Sequence, residues 1–234
     1  MRLALALLLA AGGIASAAPV EARTLAAASL PGRPRLAGLP DFIDGVVAQQ
    51  IDNREVAGAV VSVVSGDRLL FSRGYGFADV ERGVRVDPRR TLFRPGSTSK
   101  LFTWTALMQQ VEQGRVDLDA EVNRYLDFKI PDSGFKPILV RHLLDHSLGF
   151  EDRGGIRAEK VEDLKPLGSW LAANIPTRVR EPGVETSYSN YGTALAGYIV
   201  QRVTGEPFND YAERHIFKPL GMTRTTFREP LPAG

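Results

Sequence analysis

Apolar and polar residues recur along this chain with two periods, one typical of helices and one typical of strands. Where every third or fourth residue is apolar, the segment has one apolar face and is predicted to form an amphipathic helix. This spacing predicts helices at residues 41–50, 97–113, 138–145, 190–204 and 208–217, and one more around Trp170 within a polar stretch at 151–187.

One stretch early in the chain has strand character instead. Residues 58–64 form a β-branched apolar run and residues 69–77 an alternating one, and the turn-forming residues 65–67 separate them. The two runs therefore predict a β-hairpin. A hairpin followed by many helices, without regular alternation of strands and helices, predicts the α+β class.

Length and composition fit one globular domain, or most of a larger one. The chain has 234 residues, of which 44% are hydrophobic and 24% charged. Its 29 basic and 27 acidic residues give a net charge of +2. Because the arginines are scattered and form no basic patch, no nucleic-acid partner is expected. The sequence carries no signal for an oligomeric state.

The first residues predict export from the cytoplasm. Arg2 is followed by a short apolar run at 3–11 and by an Ala-Ser-Ala cleavage pattern at 15–17. We expect residues 1–17 to be a signal peptide, residues 18–40 a linker, and the protein to be periplasmic or secreted. The apolar run is too short to cross a bilayer, so no stable membrane insertion is expected after cleavage. An uncleaved N-terminal anchor is the alternative. The chain has no cysteine, hence no disulfide or lipid-attachment site.

Ser97 and Lys100 form an S-x-x-K pair at the start of a predicted helix. Residues three apart on a helix share a face, with their Cβ atoms about 5–6 Å apart. A serine hydroxyl becomes a good nucleophile when a base takes its proton, and a lysine in a dry pocket can be that base. The pair predicts acyl-transfer chemistry, and a purely capping role for Ser97 is the alternative.

The chain contains a second S-x-x-K pair that is not expected to act. Ser133 and Lys136 lie between Pro131 and Pro137, where no helix can hold the two side chains in register. Only the pair at 97–100 is therefore a candidate nucleophile and base.

Tyr188-Ser189-Asn190 is the Y-x-N sequence of this chain, immediately before the predicted helix at 190–204. A tyrosine near a protonated lysine loses its proton more easily and can relay protons. An asparagine amide can hold the lysine and bind a substrate carbonyl. The alternative is that Tyr188 only packs and Asn190 only caps the helix.

These motifs together resemble the serine β-lactamase and penicillin-binding protein superfamily. The nearest branch is that of class C β-lactamases, their esterase relatives and D-aminopeptidase-like hydrolases. The resemblance runs from about residue 41 to residue 227. It includes, in order, FRPGSTSK at 93–100, LDAEV at 118–122, VRHLLDHS at 140–147, YSNYG at 188–192 and PLGM at 219–222.

The resemblance implies an α+β, β-lactamase/transpeptidase-like fold, with residues 41–234 as its N-terminal part: a hairpin of an antiparallel sheet plus a helical region. It implies Ser97 as the acylated nucleophile, Lys100 as its partner, Tyr188 as the second acid/base and Asn190 as a substrate-binding residue. It implies no metal and no cofactor. The substrate would be a small molecule or a peptide: a β-lactam, a D-amino-acid peptide or an ester.

The sequence departs from the family at two points. Leu148 stands where the family has a small hydroxyl residue, which bears on local packing. No K-T-G or H-x-G triplet follows Tyr188 before Gly234, where the family continues into further strands that supply an oxyanion donor. We therefore expect an incomplete domain with little activity on its own.

Two other classes of function stay open. His142 and His146, four residues apart with an acid between them, predict a zinc hydrolase as one alternative. A non-catalytic module that binds a cell-envelope component is the other, which the missing third motif favours. A Ser-His-Asp hydrolase is not expected, because the chain has no G-x-S-x-G elbow.

Overall fold

The computed structural model describes residues 38–151, 154, 158 and 160–232. The predicted signal peptide at 1–17 and nearly all of the predicted linker at 18–40 lie outside these residues. The chain divides into two units, one ending at Thr91 and the other beginning at Leu92. No helix in the described ranges is long and apolar enough to cross a membrane.

The first unit combines one helix with a three-stranded antiparallel sheet. Helix α1 (Leu39–Asp52) precedes β1 (Gly58–Ser65), β2 (Arg68–Asp79) and β3 (Val84–Arg85), which lie in the order β1-β2-β3. The structure confirms the predicted hairpin of β1 and β2. Strand β3 is an addition, because two residues are too few to show any alternation in the sequence.

The second unit is helical in the part that the structure describes. Its helices are α2 (Lys100–Glu112), α3 (Arg141–Leu144), α4 (Leu167–Ala173), α5 (Asn190–Thr204) and α6 (Phe208–Ala212). Single 3₁₀ turns lie at Gly96–Ser99, Val122–Tyr125 and Val161–Asp163, and a π-helical turn at Glu213–Phe217. The hairpin and these helices confirm the α+β class.

Helix α5 is the centre of the second unit and packs against α2, α3, α4 and α6. Its start is fixed by Ser189, whose Oγ accepts the N–H of Gly192 at 3.0 Å. Its end is fixed by Gly205, which adopts the left-handed conformation that favours glycine, at φ +72°. The side chains of Leu195 and Ile199 are fully buried, as the apolar spacing predicts.

The helix predicted at 138–145 is wrong in its first half. The N–H of Val122 donates to the carbonyl of Ile138 at 2.9 Å, and the N–H of Val140 donates to the carbonyl of Ala120 at 3.0 Å. Leu139 therefore forms an antiparallel bridge with Glu121, Val140 is the N-cap, and the helix is limited to Arg141–Leu144. Ile138 and Val140 are still buried, but beside a paired segment some 20 positions away, which helical spacing does not reveal.

The helix predicted at 208–217 changes form within its length. It is α-helical only to Ala212 and then widens into the π-helical turn Glu213–Phe217. There the N–H of Lys218 donates to the carbonyl of Glu213, five residues back, at 2.9 Å.

Leu148 fills the space above the first turn of α5. Its side chain is 1% exposed. A Cβ atom built on Gly192 would lie 2.7 Å from Leu148 Cδ1, closer than any real contact. The large residue at 148 is thus accommodated because residue 192 has no side chain.

We expect Gly192→Ala to lower the free energy of unfolding, by the ~1–3 kcal/mol typical of an overpacked core. Alanine is the better helix former by about 1 kcal/mol, so the steric clash must exceed that gain. In a Leu148→Ala background the clash is absent, and the same Gly192→Ala substitution should be neutral or stabilising. Urea unfolding of the four proteins measures both effects. An equal destabilisation in the two backgrounds would contradict the packing described here.

Candidate active site

The turn before α2 presents Ser97 at the surface. Gly96 has φ +59° and opens the 3₁₀ turn Gly96–Ser99, which leads directly into α2. The hydroxyls of Thr98 and Ser99 donate back to the carbonyls of Pro95 and Gly96, at 2.7 and 2.6 Å. Neither this turn nor α2 has a side-chain cap, so the capping role considered for Ser97 is wrong.

Two proton-carrying groups converge on the hydroxyl of Ser97. The Nζ atom of Lys100 lies 3.0 Å from Ser97 Oγ. The phenol of Tyr188, 91 positions further along the chain, donates to the same oxygen at 2.6 Å. The structure thus brings together the three groups that the sequence predicts as nucleophile, partner and second acid/base.

Asn190 holds the amine of Lys100 from the opposite side. Lys100 Nζ donates to Asn190 Oδ1 at 2.7 Å, and Asn190 Nδ2 donates to the carbonyl of Gly154 at 3.1 Å. Asn190 is the first residue of α5, and Ser189 is the N-cap, so a capping role for Asn190 is wrong. The amide nitrogen of Asn190 carries two N–H groups, which leaves one for a substrate carbonyl.

Burial and charge differ sharply between the members of this group. Lys100 is only 9% exposed, whereas Tyr188 is 45% exposed and Ser97 lies open to solvent. Lys100 Nζ lies 4.8 Å from the centre of the Tyr188 ring. The neighbouring Lys100 amine, and then the contact with Ser97, lower the pKa of the Tyr188 phenol, and burial opposes them. The phenol beside the serine therefore loses its proton more easily than a free tyrosine does.

His146 is a neighbour of this group that the sequence does not identify as part of it. Its Nδ1 atom accepts the N–H of Ser189 at 3.2 Å, and its ring lies 4.6 Å from the ring of Tyr188. The residue has φ +60°, an uncommon value for a side chain other than glycine. No local sequence pattern predicts this position of His146, because it depends on a contact between residues more than 40 positions apart.

The alternative of a zinc site requires His142 and His146 to lie on one face of a helix, and the structure does not place them so. Helix α3 ends at Leu144, so His142 and His146 do not share a helical face. His142 Nδ1 accepts the N–H of Leu139 at 3.1 Å, and His146 Nδ1 is occupied as described above. The residues described by the structure contain no group of three or more His, Cys, Asp or Glu side chains that could hold a metal ion.

The second S-x-x-K pair behaves as its flanking prolines predict. Ser133 and Lys136 lie in a non-helical loop between α2 and α3. They share a spacing with Ser97 and Lys100 but not a helix, and they serve below as matched controls.

Comparison with known proteins gives one family. A family model described as Beta-lactamase matches residues 43–234. The chain is 28% identical over 197 residues to protein flp of Staphylococcus aureus (strain MW2), a match that covers 80% of this chain and 38% of that protein. The chain thus spans well under half the length of that relative.

Solved structures share the fold. An octameric penicillin-binding protein homologue from Pyrococcus abyssi matches with a TM-score of 0.69 and 25% identity, over 81% of this chain and 45% of that one. D-amino acid amidase from Ochrobactrum anthropi SV3, in complex with L-phenylalanine, matches with a TM-score of 0.64 and 29% identity, over 78% of this chain and 50% of that one.

We expect the phenol of Tyr188 to lose its proton at a lower pH than the phenols that burial protects. Those reference phenols, whose pKa values burial raises, are Tyr75, Tyr191, Tyr198 and Tyr211. In Lys100→Met the titration of Tyr188 should move to higher pH, because the amine that favours the phenolate is gone. NMR titration of isotope-labelled tyrosine measures this, and Tyr188→Phe assigns the resonance.

Lys136→Met is the control for that experiment, because it removes the lysine of the second S-x-x-K pair. It should leave the Tyr188 titration unchanged. If Lys100→Met also left it unchanged in a folded protein, the electrostatic coupling between Lys100 and Tyr188 would be refuted.

Proposed function

Because the chain belongs to the β-lactamase family, whose members are serine hydrolases, we propose that it cleaves an amide or ester through an acyl-enzyme formed on Ser97. Its fold is the β-lactamase/transpeptidase-like one of its structural neighbours. The observation that carries the proposal is the convergence of Lys100 Nζ and the Tyr188 hydroxyl on Ser97 Oγ, at 3.0 and 2.6 Å.

The first step of the proposed reaction is attack by the serine oxygen on a carbonyl carbon. In the reactive form Tyr188 is the phenolate, which the neighbouring Lys100 favours by lowering the pKa of the phenol, and this phenolate takes the proton of Ser97 as the new C–O bond forms. The carbonyl electron pair moves onto oxygen and gives a tetrahedral oxyanion. When the intermediate collapses, the bond to the leaving group breaks, and the proton held by Tyr188 passes to that group.

The second step returns the enzyme to its starting state. Water attacks the acyl carbon and gives a proton to the phenolate of Tyr188. Collapse of this second oxyanion releases the acid, and Ser97 recovers its proton. Lys100 stays hydrogen-bonded to Asn190 Oδ1 throughout and keeps a positive charge beside the groups that become negative.

The oxyanion needs N–H donors, and the backbone of Ser97 is the first candidate. The first N–H groups of a helix have no acceptor within it, and the positive end of the helix dipole favours negative charge there. No K-T-G or H-x-G triplet follows Tyr188 in this chain to supply a second donor. Loss of one donor costs about 10²–10³-fold in rate, so we expect slow turnover by these 234 residues alone.

The proposed substrate class is an acyl compound with an amide or ester bond: a β-lactam, a D-amino-acid peptide or a simple ester. The amidase and the penicillin-binding protein homologue among the structural neighbours support this range. A non-catalytic module that binds an envelope component is the second candidate.

A fluorophosphonate probe separates these two candidates, because it labels only an activated serine. We expect labelling of the wild-type chain, none in Ser97→Ala, and full labelling in the control Ser133→Ala. Tyr188→Phe should slow labelling by about 10²–10⁴-fold, the usual contribution of a general base. Absence of labelling in a chain that unfolds cooperatively would favour the binding module, and labelling that persists in Ser97→Ala would reject the proposed nucleophile.

We also propose that the protein is exported and cleaved after residue 17 or 18. Expression of the full chain in a bacterium with a periplasm, followed by N-terminal sequencing of the periplasmic fraction, should give a chain that begins at residue 18 or 19. Ala17→Leu should block cleavage after residue 17, because signal peptidases require a small residue there. A membrane-bound protein that retains Met1 would support the uncleaved anchor instead.

A further inference from the structure

His146 links the segment that carries Tyr188 to the helix that carries Lys100. It follows α3 in a left-handed turn at φ +60° and is 9% exposed. A residue with a β-carbon has a less stable backbone conformation at positive φ, and the surrounding contacts must hold it there. The contacts of His146 therefore indicate what this conformation is for. Three of them involve the site directly.

His146 accepts two hydrogen bonds, one from the residue before Tyr188 and one from the residue after it. The main-chain carbonyl of His146 accepts the N–H of Ser187 at 2.8 Å. The ring Nδ1 of the same residue accepts the N–H of Ser189 at 3.2 Å. One residue therefore fixes the backbone immediately before and immediately after Tyr188, which sets the direction in which the phenol leaves the chain.

The third contact is between rings. The imidazole lies 4.6 Å from the ring of Tyr188, with the planes inclined by 38°. On another side it meets the ring of Trp104 at 5.6 Å and 71°. Trp104 lies one helical turn after Lys100 on α2, so His146 spans the distance between the lysine's helix and the tyrosine's segment.

The hydrogen bond to Ser189 requires a neutral imidazole. Nδ1 can accept an N–H only while it keeps its lone pair, so the ring proton must be on Nε2. The charged and titratable groups that face the ring are Lys100, Asp145 and Tyr188. Burial first, and then Lys100, lower the pKa of His146, whereas Asp145 and the hydrogen bond with the Ser189 backbone raise it. The net lowering of the pKa favours the neutral ring, the form that can accept this N–H.

We propose that His146 is a positioning residue that aims the Tyr188 phenol at Ser97 Oγ by accepting the N–H groups on either side of Tyr188. The effect of His146 on catalysis rests on the function proposed above. The positioning of Tyr188 does not, because it can be measured from the titration of the Tyr188 phenol whether or not the chain turns over a substrate.

A matched pair of substitutions tests the acceptor on the ring. His146→Asn keeps an acceptor oxygen at the place of Nδ1 and tolerates the left-handed turn. His146→Gln moves the acceptor one methylene further out, and His146→Phe keeps a ring without any acceptor. We expect Tyr188 to titrate in His146→Asn as in the wild type, and at higher pH in the other two, because the phenol no longer lies beside Lys100.

Rates give the second measurement. Labelling by the fluorophosphonate should slow by about 10²-fold in His146→Gln and His146→Phe, the size expected when a catalytic group is misplaced by about 1 Å. In a Tyr188→Phe background the same substitutions should cost nothing further, since His146 acts only through Tyr188. Thermal unfolding identifies any variant that does not fold, and whichever of His146→Gln and His146→Phe does fold then carries the comparison.

The outcomes are distinct for the two proposals. An unchanged Tyr188 titration in folded His146→Gln or His146→Phe would overturn the positioning role, and so would an equal shift in His146→Asn. A wild-type chain that shows no labelling, but in which Tyr188 responds to His146 as described, would reject the hydrolase and leave the positioning role in place.

Discussion

A buried ammonium group is the constraint on which the site depends. Lys100 is almost out of contact with water, and a buried charge without partners costs several kcal/mol. Its partners in the described structure are Ser97 Oγ and Asn190 Oδ1, one from the turn before α2 and one from the first residue of α5. The hydrogen bonds to this one cation therefore join the start of α2 to the start of α5, which are 90 positions apart. Tyr188 immediately precedes α5 and is thereby placed beside the same cation. The buried core between α2 and α5 makes that approach a stable one, because the two helices pack against each other along their length.

The local parts of this arrangement could be predicted from the sequence. The spacing of Ser97 and Lys100, the boundaries of α5 and the hairpin of β1 and β2 follow from periodicity and capping within a few residues of each feature. The meeting of Tyr188 with Ser97 was expected from the family resemblance and not from any local pattern. The start of α3 and the position of His146 could not be predicted, because each is decided by hydrogen bonds to a distant segment: residues 120–122 for the first, and residues 187–189 for the second. Helical spacing shows which face of a segment is apolar. It does not show which distant segment will accept hydrogen bonds from its backbone N–H groups.

The family relationship identifies the family and the fold, and the geometry identifies which side chains lie together. The family match over residues 43–234 and the structural neighbours establish the family and the fold. This relationship does not choose between an amide and an ester as the substrate of this chain. The geometry adds which groups of this chain are in reach of one another: an exposed serine hydroxyl, a shielded cation, and a phenol whose pKa that cation lowers. Together they support the proposed acyl-transfer site, whose three groups, Ser97, Lys100 and Tyr188, all lie within the second unit.

The meeting of two helix starts has an electrostatic consequence of its own. Lys100 opens α2 and Asn190 opens α5, so the partially positive ends of two helices, of 13 and 15 residues, point into one small region that already holds a cation. Such a region carries a standing positive potential before any substrate arrives. This potential contributes to the lowered pKa of the Tyr188 phenol, and in the proposed reaction the negative charge passes from the phenolate oxygen to the substrate without leaving the field. Since the field need not be rebuilt as the charge migrates, little reorganisation accompanies each transfer.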